Sequence, residues 1–249
     1  MSDFVLICGL PRSGTREITD IFNNISEVCV QGEITGANFK HSCEFVRNIV
    51  TSSEGLNRER IVRKGAGLFS DALGLAGKAP LNKSKGAPEL VGFKCPNAQS
   101  WYKEILEIAN VLNFRVHIVF CLREPQEVYR SLTQMDWYNG GYDRFEKMCT
   151  RLIKTFNEIT QCTDPLLGSV QVFNLNQYII SDAPAEYIGK ILAKCNVDCS
   201  GDEVDKAIGS VKNRNATARK KSKKEINFED MQKNEPGLSR LAKKLAVIQ

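Results

Sequence analysis

The stretch Cys8-Gly9-Leu10-Pro11-Arg12-Ser13-Gly14-Thr15-Arg16 decides the reading of this chain. It follows the apolar run Phe4-Val5-Leu6-Ile7, which with Cys8 is too short for a helix and is bounded by Gly9, so a central first strand is expected. Beyond it Ile18, Ile21, Phe22 and Ile25 fall at helical spacing, which predicts a helix from about Gly14 to Asn24. A glycine-bearing turn between a strand and a helix aims backbone N–H groups and the positive end of the helix dipole at one point. Such a turn cradles an anion. A Walker A loop starting at Gly9 would require lysine directly after Gly14, and then Ser or Thr; the chain has Thr15 and Arg16. Without that lysine, and with no clear acidic strand end for magnesium, hydrolysis of ATP or GTP is disfavoured while a phosphate-bearing ligand is not.

Working outward, short β-branched runs alternate with amphipathic stretches, which predicts an α/β domain with a mostly parallel sheet. Further strands are expected at Val28–Val30, Leu90–Phe93, Phe114–Leu122 and Val170–Phe173. Helices are expected over 39–50, 101–112, from Pro125 onward, over 142–160 and over 184–195. The segment 51–89 is rich in Ser, Gly, Lys and Asn and shows no sustained periodicity apart from a weak apolar patch at Leu68–Leu75, so it reads as an insertion or lid.

The chain has 249 residues, 42% hydrophobic and 25% charged, compatible with one domain over 1–249. Disordered, collagen-like and membrane-embedded classes are excluded by that balance. No secretory signal is visible before Phe4, and nine Cys without a CxxC favour reduced thiols over disulfides or zinc, so a cytoplasmic protein without a metal is expected. The net charge of +5 is unevenly spread: 212–224 carries seven basic residues and no acidic one. That run reads as a basic, solvated segment with an affinity for anions.

The pattern Pro11-Arg12-Ser13-Gly14-Thr15 resembles the 5′-phosphosulfate-binding loop of sulfotransferases that use 3′-phosphoadenosine 5′-phosphosulfate. A second element is similar to the family's 3′-phosphate-binding pair: Arg123 and Ser131 within Cys-Leu-Arg-Glu-Pro-Gln-Glu-Val-Tyr-Arg-Ser-Leu, on a strand-to-helix edge. A guanidinium at a strand end and a hydroxyl on the next helix can grip one phosphate from two sides. Val30-Gln31-Gly32-Glu33 looks like the Gly-Glu of bacterial and Golgi-type members, and Val91-Gly92-Phe93-Lys94 with Pro96 resembles their Gly-aromatic-Lys-x-Pro segment.

The resemblance implies a P-loop-like, three-layer α/β/α fold and in-line sulfuryl transfer to a hydroxyl or amine, on a small-molecule or glycan acceptor. It implies that Arg12, Ser13, Gly14, Thr15, Arg16, Arg123 and Ser131 bind the donor, with Arg12 also meeting the charge of the leaving group. Glu33 would be the base, with Lys94 beside it and His41 as the alternative; His117, inside an apolar strand, reads as a core residue. Trp101, Trp137 and Tyr138 are candidates for stacking on adenine or lining an acceptor pocket, and Met135–Tyr142 for a second lid. The chain departs from the pattern at Arg16, where the family has a second Thr, and at Glu17, where cytosolic members carry a Trp. Their catalytic His and late Arg-Lys-Gly loop also lack counterparts. Two other functions stay open: a nucleotide or nucleoside kinase with a degenerate loop, and a non-catalytic binder of anionic polymers through 212–224. The first predicts magnesium-dependent ATP binding, and the second predicts salt-sensitive binding indifferent to Arg12.

Overall fold

The computed structural model describes residues 1–77, 88–211 and 228–248. The basic run at 212–224 therefore lies outside the described residues, as does the part of the 51–89 segment from 78 to 87.

Five strands, β1 (Ser2–Gly9), β2 (Val28–Gly32), β3 (Leu90–Lys94), β4 (Phe114–Leu122) and β5 (Leu167–Asn174), form one sheet in the order β2-β3-β1-β4-β5. All four pairings are parallel, with Ile7 beside Lys94 on one side and Gly9 beside Cys121 on the other. Parallel sheets are covered on both faces, which is why the strands read as near-continuous apolar runs rather than alternating ones. In β1, Phe4, Leu6 and Cys8 pack into one core, and Val5 and Ile7 pack into another on the opposite face.

The first face is covered by α2 (Gly36–Thr51), α3 (Gly55–Ala76), α4 (Tyr102–Leu112), α5 (Pro125–Thr133), α6 (Gly141–Thr160) and α10 (Phe228–Leu245). The second carries α1 (Thr15–Phe22), α8 (Pro184–Lys194) and α9 (Gly201–Gly209), with the short α7 (Leu175–Ile180) leading into them from β5. The architecture is the three-layer α/β/α arrangement with a central parallel sheet. Among the described residues no helix is long and apolar enough to cross a membrane, and all nine cysteines are present as thiols.

The largest difference from the sequence expectation is α3. The stretch without sustained periodicity holds a 22-residue helix whose helical geometry breaks at Gly65. Its buried face is built from Gly65, Ala66, Phe69, Ser70, Ala72, Leu73 and Gly74, so five small residues outnumber Phe69 and Leu73 and blur the pattern that makes a helix visible. The small residues let the helix come close: a Cβ on Gly65 would lie 2.7 Å from the Leu112 carbonyl oxygen, and Ser70 Oγ donates to the Gly92 carbonyl at 3.0 Å. Helices α7, α9 and α10 also lie where no element was expected.

At the N-terminal half of the sheet, His117 is 1% exposed. Its Nε2 lies 2.9 Å from Asp3 Oδ1 and its Nδ1 lies 2.9 Å from Ser169 Oγ, so one imidazole ties β1, β4 and β5 together. It is a satisfied core histidine.

Candidate active site

Every residue singled out for chemistry on a strand end lies at the C-terminal edge of the sheet. From β1 the chain leaves toward β2 through α1 on one face, and from β4 it leaves toward β5 through α5 and α6 on the other. The divergence falls between the ends of β1 and β4, the place where open α/β sheets bind ligands.

The loop from Gly9 to Gly14 forms one wall. Gly9 has φ 138° and packs so tightly on β4 that a Cβ would collide with the Cys121 carbonyl oxygen. Arg12 adopts φ 72°, a left-handed conformation that costs an L-residue roughly 1–2 kcal/mol. The buried Ser13 braces the turn by donating from both Oγ (2.6 Å) and N (3.2 Å) to the Leu10 carbonyl. Gly14 is the N-cap of α1 and, among the described residues, no side chain caps the helix, so the N–H groups of its first turn lack a side-chain partner there. Thr15 is buried at that turn, while Arg16 is exposed and lies 3.7 Å from Asp20.

The second wall is the β4–α5 junction, and it meets the first directly. Arg12 Nε donates to Ser131 Oγ at 2.9 Å, across 119 residues of sequence. Arg123 Nε donates to Glu127 Oε2 at 2.7 Å. Burial, then the nearby charges of Arg123 and Arg16, push the Arg12 guanidinium below its ordinary pKa. Like charges held together at a half-buried site are costly unless an anion joins them. Both guanidiniums are anchored through Nε, and their terminal amines make no hydrogen bond among the described residues.

Glu33 and Lys94 stand at the ends of β2 and β3 and form an ion pair. Lys94 is mostly buried, with 11% of its side chain exposed, whereas Glu33 is half exposed. Beyond Lys94 the chain stays on β1: Cys95 N donates to the Ile7 carbonyl and Asn97 N to the Gly9 carbonyl, which fastens this pair beside the Gly9–Gly14 loop.

The remaining candidates lie as follows. His41 is exposed on α2, 3.5 Å from Glu44. Trp101 stacks on Phe39 with ring centroids 4.4 Å apart, in the core between α2 and α4. Tyr138 is buried and donates to the Gly141 carbonyl at 2.6 Å, whereas Trp137 is 56% exposed. Among the described residues no group of three or more His, Cys, Asp or Glu could hold a metal.

Three site residues, Glu127, Asn174 and Asn176, escaped the sequence reading. Asn176 Nδ2 donates to Glu127 Oε2 at 3.2 Å, and its Oδ1 accepts from Glu124 N at 3.1 Å. Asn174, at the end of β5, caps α7 by accepting from the N–H groups of Asn176 (3.0 Å) and Gln177 (3.2 Å). The β5 end thus belongs to the site. Glu127 could have been suspected from its spacing four residues after Arg123, but nothing local marks Asn176.

No protein-family model matches the chain, and no curated protein matches it. Among solved structures, the chain is similar to the sulfotransferase domain from the Synechococcus PCC 7002 olefin synthase. That likeness has a TM-score of 0.51 at 14% sequence identity and covers 98% of this chain and 94% of that one. At that identity it speaks for the fold: the chain has the α/β architecture of a sulfotransferase domain, with its own loop, arginines and carboxylates at the sheet's C-terminal edge.

Proposed function

We propose that the protein transfers a sulfuryl group from 3′-phosphoadenosine 5′-phosphosulfate to a hydroxyl or amine acceptor. The observation that carries the reading is the Arg12–Ser131 hydrogen bond: it joins the 5′-phosphate loop to the 3′-phosphate element in one site. A bisphosphorylated nucleotide suits two arginines whose terminal amines are uncommitted, a serine between them and an uncapped helix N-terminus.

In this reading the N–H groups at the start of α1 and the Thr15 hydroxyl hold the 5′-phosphate. Arg123 and Ser131 hold the 3′-phosphate, a group that ATP lacks, and so favour this donor over ATP. The donor supplies an activated sulfuryl group whose bond to the phosphate oxygen breaks during transfer. Arg12 faces the negative charge that builds on that oxygen, where fixed positive charge accelerates the step most. Glu33 accepts the proton that leaves the acceptor as its oxygen or nitrogen bonds to sulfur. Lys94 engages one carboxylate oxygen of Glu33, fixes its direction and leaves the other oxygen for the acceptor. The acceptor is a small molecule or glycan, bound on the side of the site nearest β2 and β3.

The test is transfer from sulfur-radiolabelled donor to a panel of phenols, sugars and primary amines. Label is expected in at least one class, and Glu33→Gln should slow turnover by about 10²–10⁴-fold with donor affinity preserved. Absence of transfer to any class, with ATP and magnesium bound in preference to the donor, would overturn the reading.

A further inference from the structure

Glu127 and Ser131 lie one turn apart on α5, at the i and i+4 positions that share a helix face. Each accepts the Nε–H of one site arginine: Glu127 from Arg123 and Ser131 from Arg12. A guanidinium is a rigid planar fork, so an acceptor on Nε fixes its plane while the end-on pair of terminal N–H groups stays available. The helix thus acts as a rack for the two arginines.

The two positions are not equally firm. Ser131 is a neutral hydroxyl whose one hydrogen-bond partner among the described residues is Arg12, whereas Glu127 is held from three elements: by Arg123 at the end of β4, by Asn176 at the start of α7 and by its own helix α5. Asn176 is fixed in turn by the Glu124 N–H and by the Asn174 cap at the end of β5. Burial pushes the Glu127 carboxyl up, but the hydrogen bonds from Arg123 and Asn176 and the charges of Arg123 and Arg130 outweigh it and hold its pKa below the ordinary value.

We propose that Glu127, locked by Asn176, is a positioning residue that presets the Arg123 guanidinium as a two-pronged receptor, and thereby gives the site its selectivity for a nucleotide carrying a 3′-phosphate. The proposal rests on the donor-site reading above. A carboxylate beside an arginine can also act only as a competing anion. The two roles predict opposite signs: removing a competitor tightens phosphate binding, and removing a positioning group loosens it.

The experiment is isothermal titration of the full chain with adenosine 3′,5′-bisphosphate and with adenosine 5′-monophosphate. The wild type should prefer the bisphosphate. Glu127→Ala should weaken bisphosphate binding by about tenfold, the worth of one charge-assisted hydrogen bond, and leave the monophosphate unchanged. Glu127→Gln, isosteric and still an acceptor, should lose less, and Asn176→Ala should shift the ratio the same way. Should Glu127→Ala not fold, Glu127→Gln and Asn176→Ala carry the test. Tighter bisphosphate binding, an unchanged ratio, or equal weakening for both nucleotides would overturn the proposal while leaving the donor site standing. A wild type that binds neither nucleotide would overturn both.

Discussion

Replacing Arg12 by glycine separates what the residue does for the fold from what it does for the ligand. In the folded protein Arg12 holds a left-handed backbone at φ 72°, a strain of roughly 1–2 kcal/mol that glycine removes. Against this stand the lost Nε bond of a charged donor to Ser131, about 1.5–3 kcal/mol, and the extra unfolded-state freedom of glycine, about 0.5–1 kcal/mol. Relieving the burial of a guanidinium next to Arg123 and Arg16 works in the stabilising direction against that loss. The melting temperature of the unliganded variant should therefore lie within about 5 °C of the wild type. Ligand binding should respond far more strongly. Two terminal amines on a phosphate oxyanion contribute about 1.5–3 kcal/mol each, so affinity for adenosine 3′,5′-bisphosphate should fall by about 10²–10⁴-fold. Differential scanning calorimetry and isothermal titration on the same preparations measure both quantities. A melting temperature lowered by more than about 5 °C, or a Kd within about threefold of wild type, would refute the reasoning.

Three further outcomes follow from the same geometry. Gly9→Ala places a Cβ against the Cys121 carbonyl in the β1–β4 ladder and at φ 138°, so it should destabilise the fold by about 2–5 kcal/mol; chemical denaturation would show it, and an unchanged midpoint would contradict it. Because the folded pKa of Glu127 is depressed below its ordinary 4.5, its contribution to stability is present above that value and is lost as pH falls through the folded pKa. Acid melts should therefore fall more steeply in wild type than in Glu127→Gln, and equal slopes would count against the Arg123 pairing. Burial pushes the thiols of Cys43, Cys149 and Cys195 up to about 12, and only Cys162 and Cys199 of the nine are partly exposed. Iodoacetamide at about pH 8 should then modify Cys162 and Cys199 alone in the native protein, and mass spectrometry finding label on any of the seven buried cysteines would contradict this.

What could be read from the chain, and what could not, divides along a physical line. The strands were legible because both faces of a parallel sheet are buried, which makes Phe4–Cys8 an unbroken apolar run and leaves Phe114–Leu122 interrupted only by Arg115 and His117. The Gly9–Arg16 loop and the Arg123–Ser131 segment could be placed on strand-to-helix turns because an apolar run, then Gly or Pro, then a helical pattern marks such a junction locally. Helix α3 was hidden, since it packs mostly through Gly, Ala and Ser with only Phe69 and Leu73 as large buried apolar residues, and leaves Leu56 and Leu75 exposed, which weakens the pattern that periodicity detects. The meeting of Arg12 with Ser131, and of Glu127 with Asn176, is tertiary: it depends on β4 lying between β1 and β5, and no local spacing encodes that order.

The central claim is that this site is built for a nucleotide with phosphates at both the 5′ and 3′ positions, and nucleotide-dependent thermal stabilisation tests it most directly. Adenosine 3′,5′-bisphosphate, without magnesium, should raise the melting temperature in a concentration-dependent manner, and the rise should vanish in Arg12→Ala and Arg123→Ala. Stabilisation by ATP with magnesium alone, and none by the bisphosphate, would contradict the account.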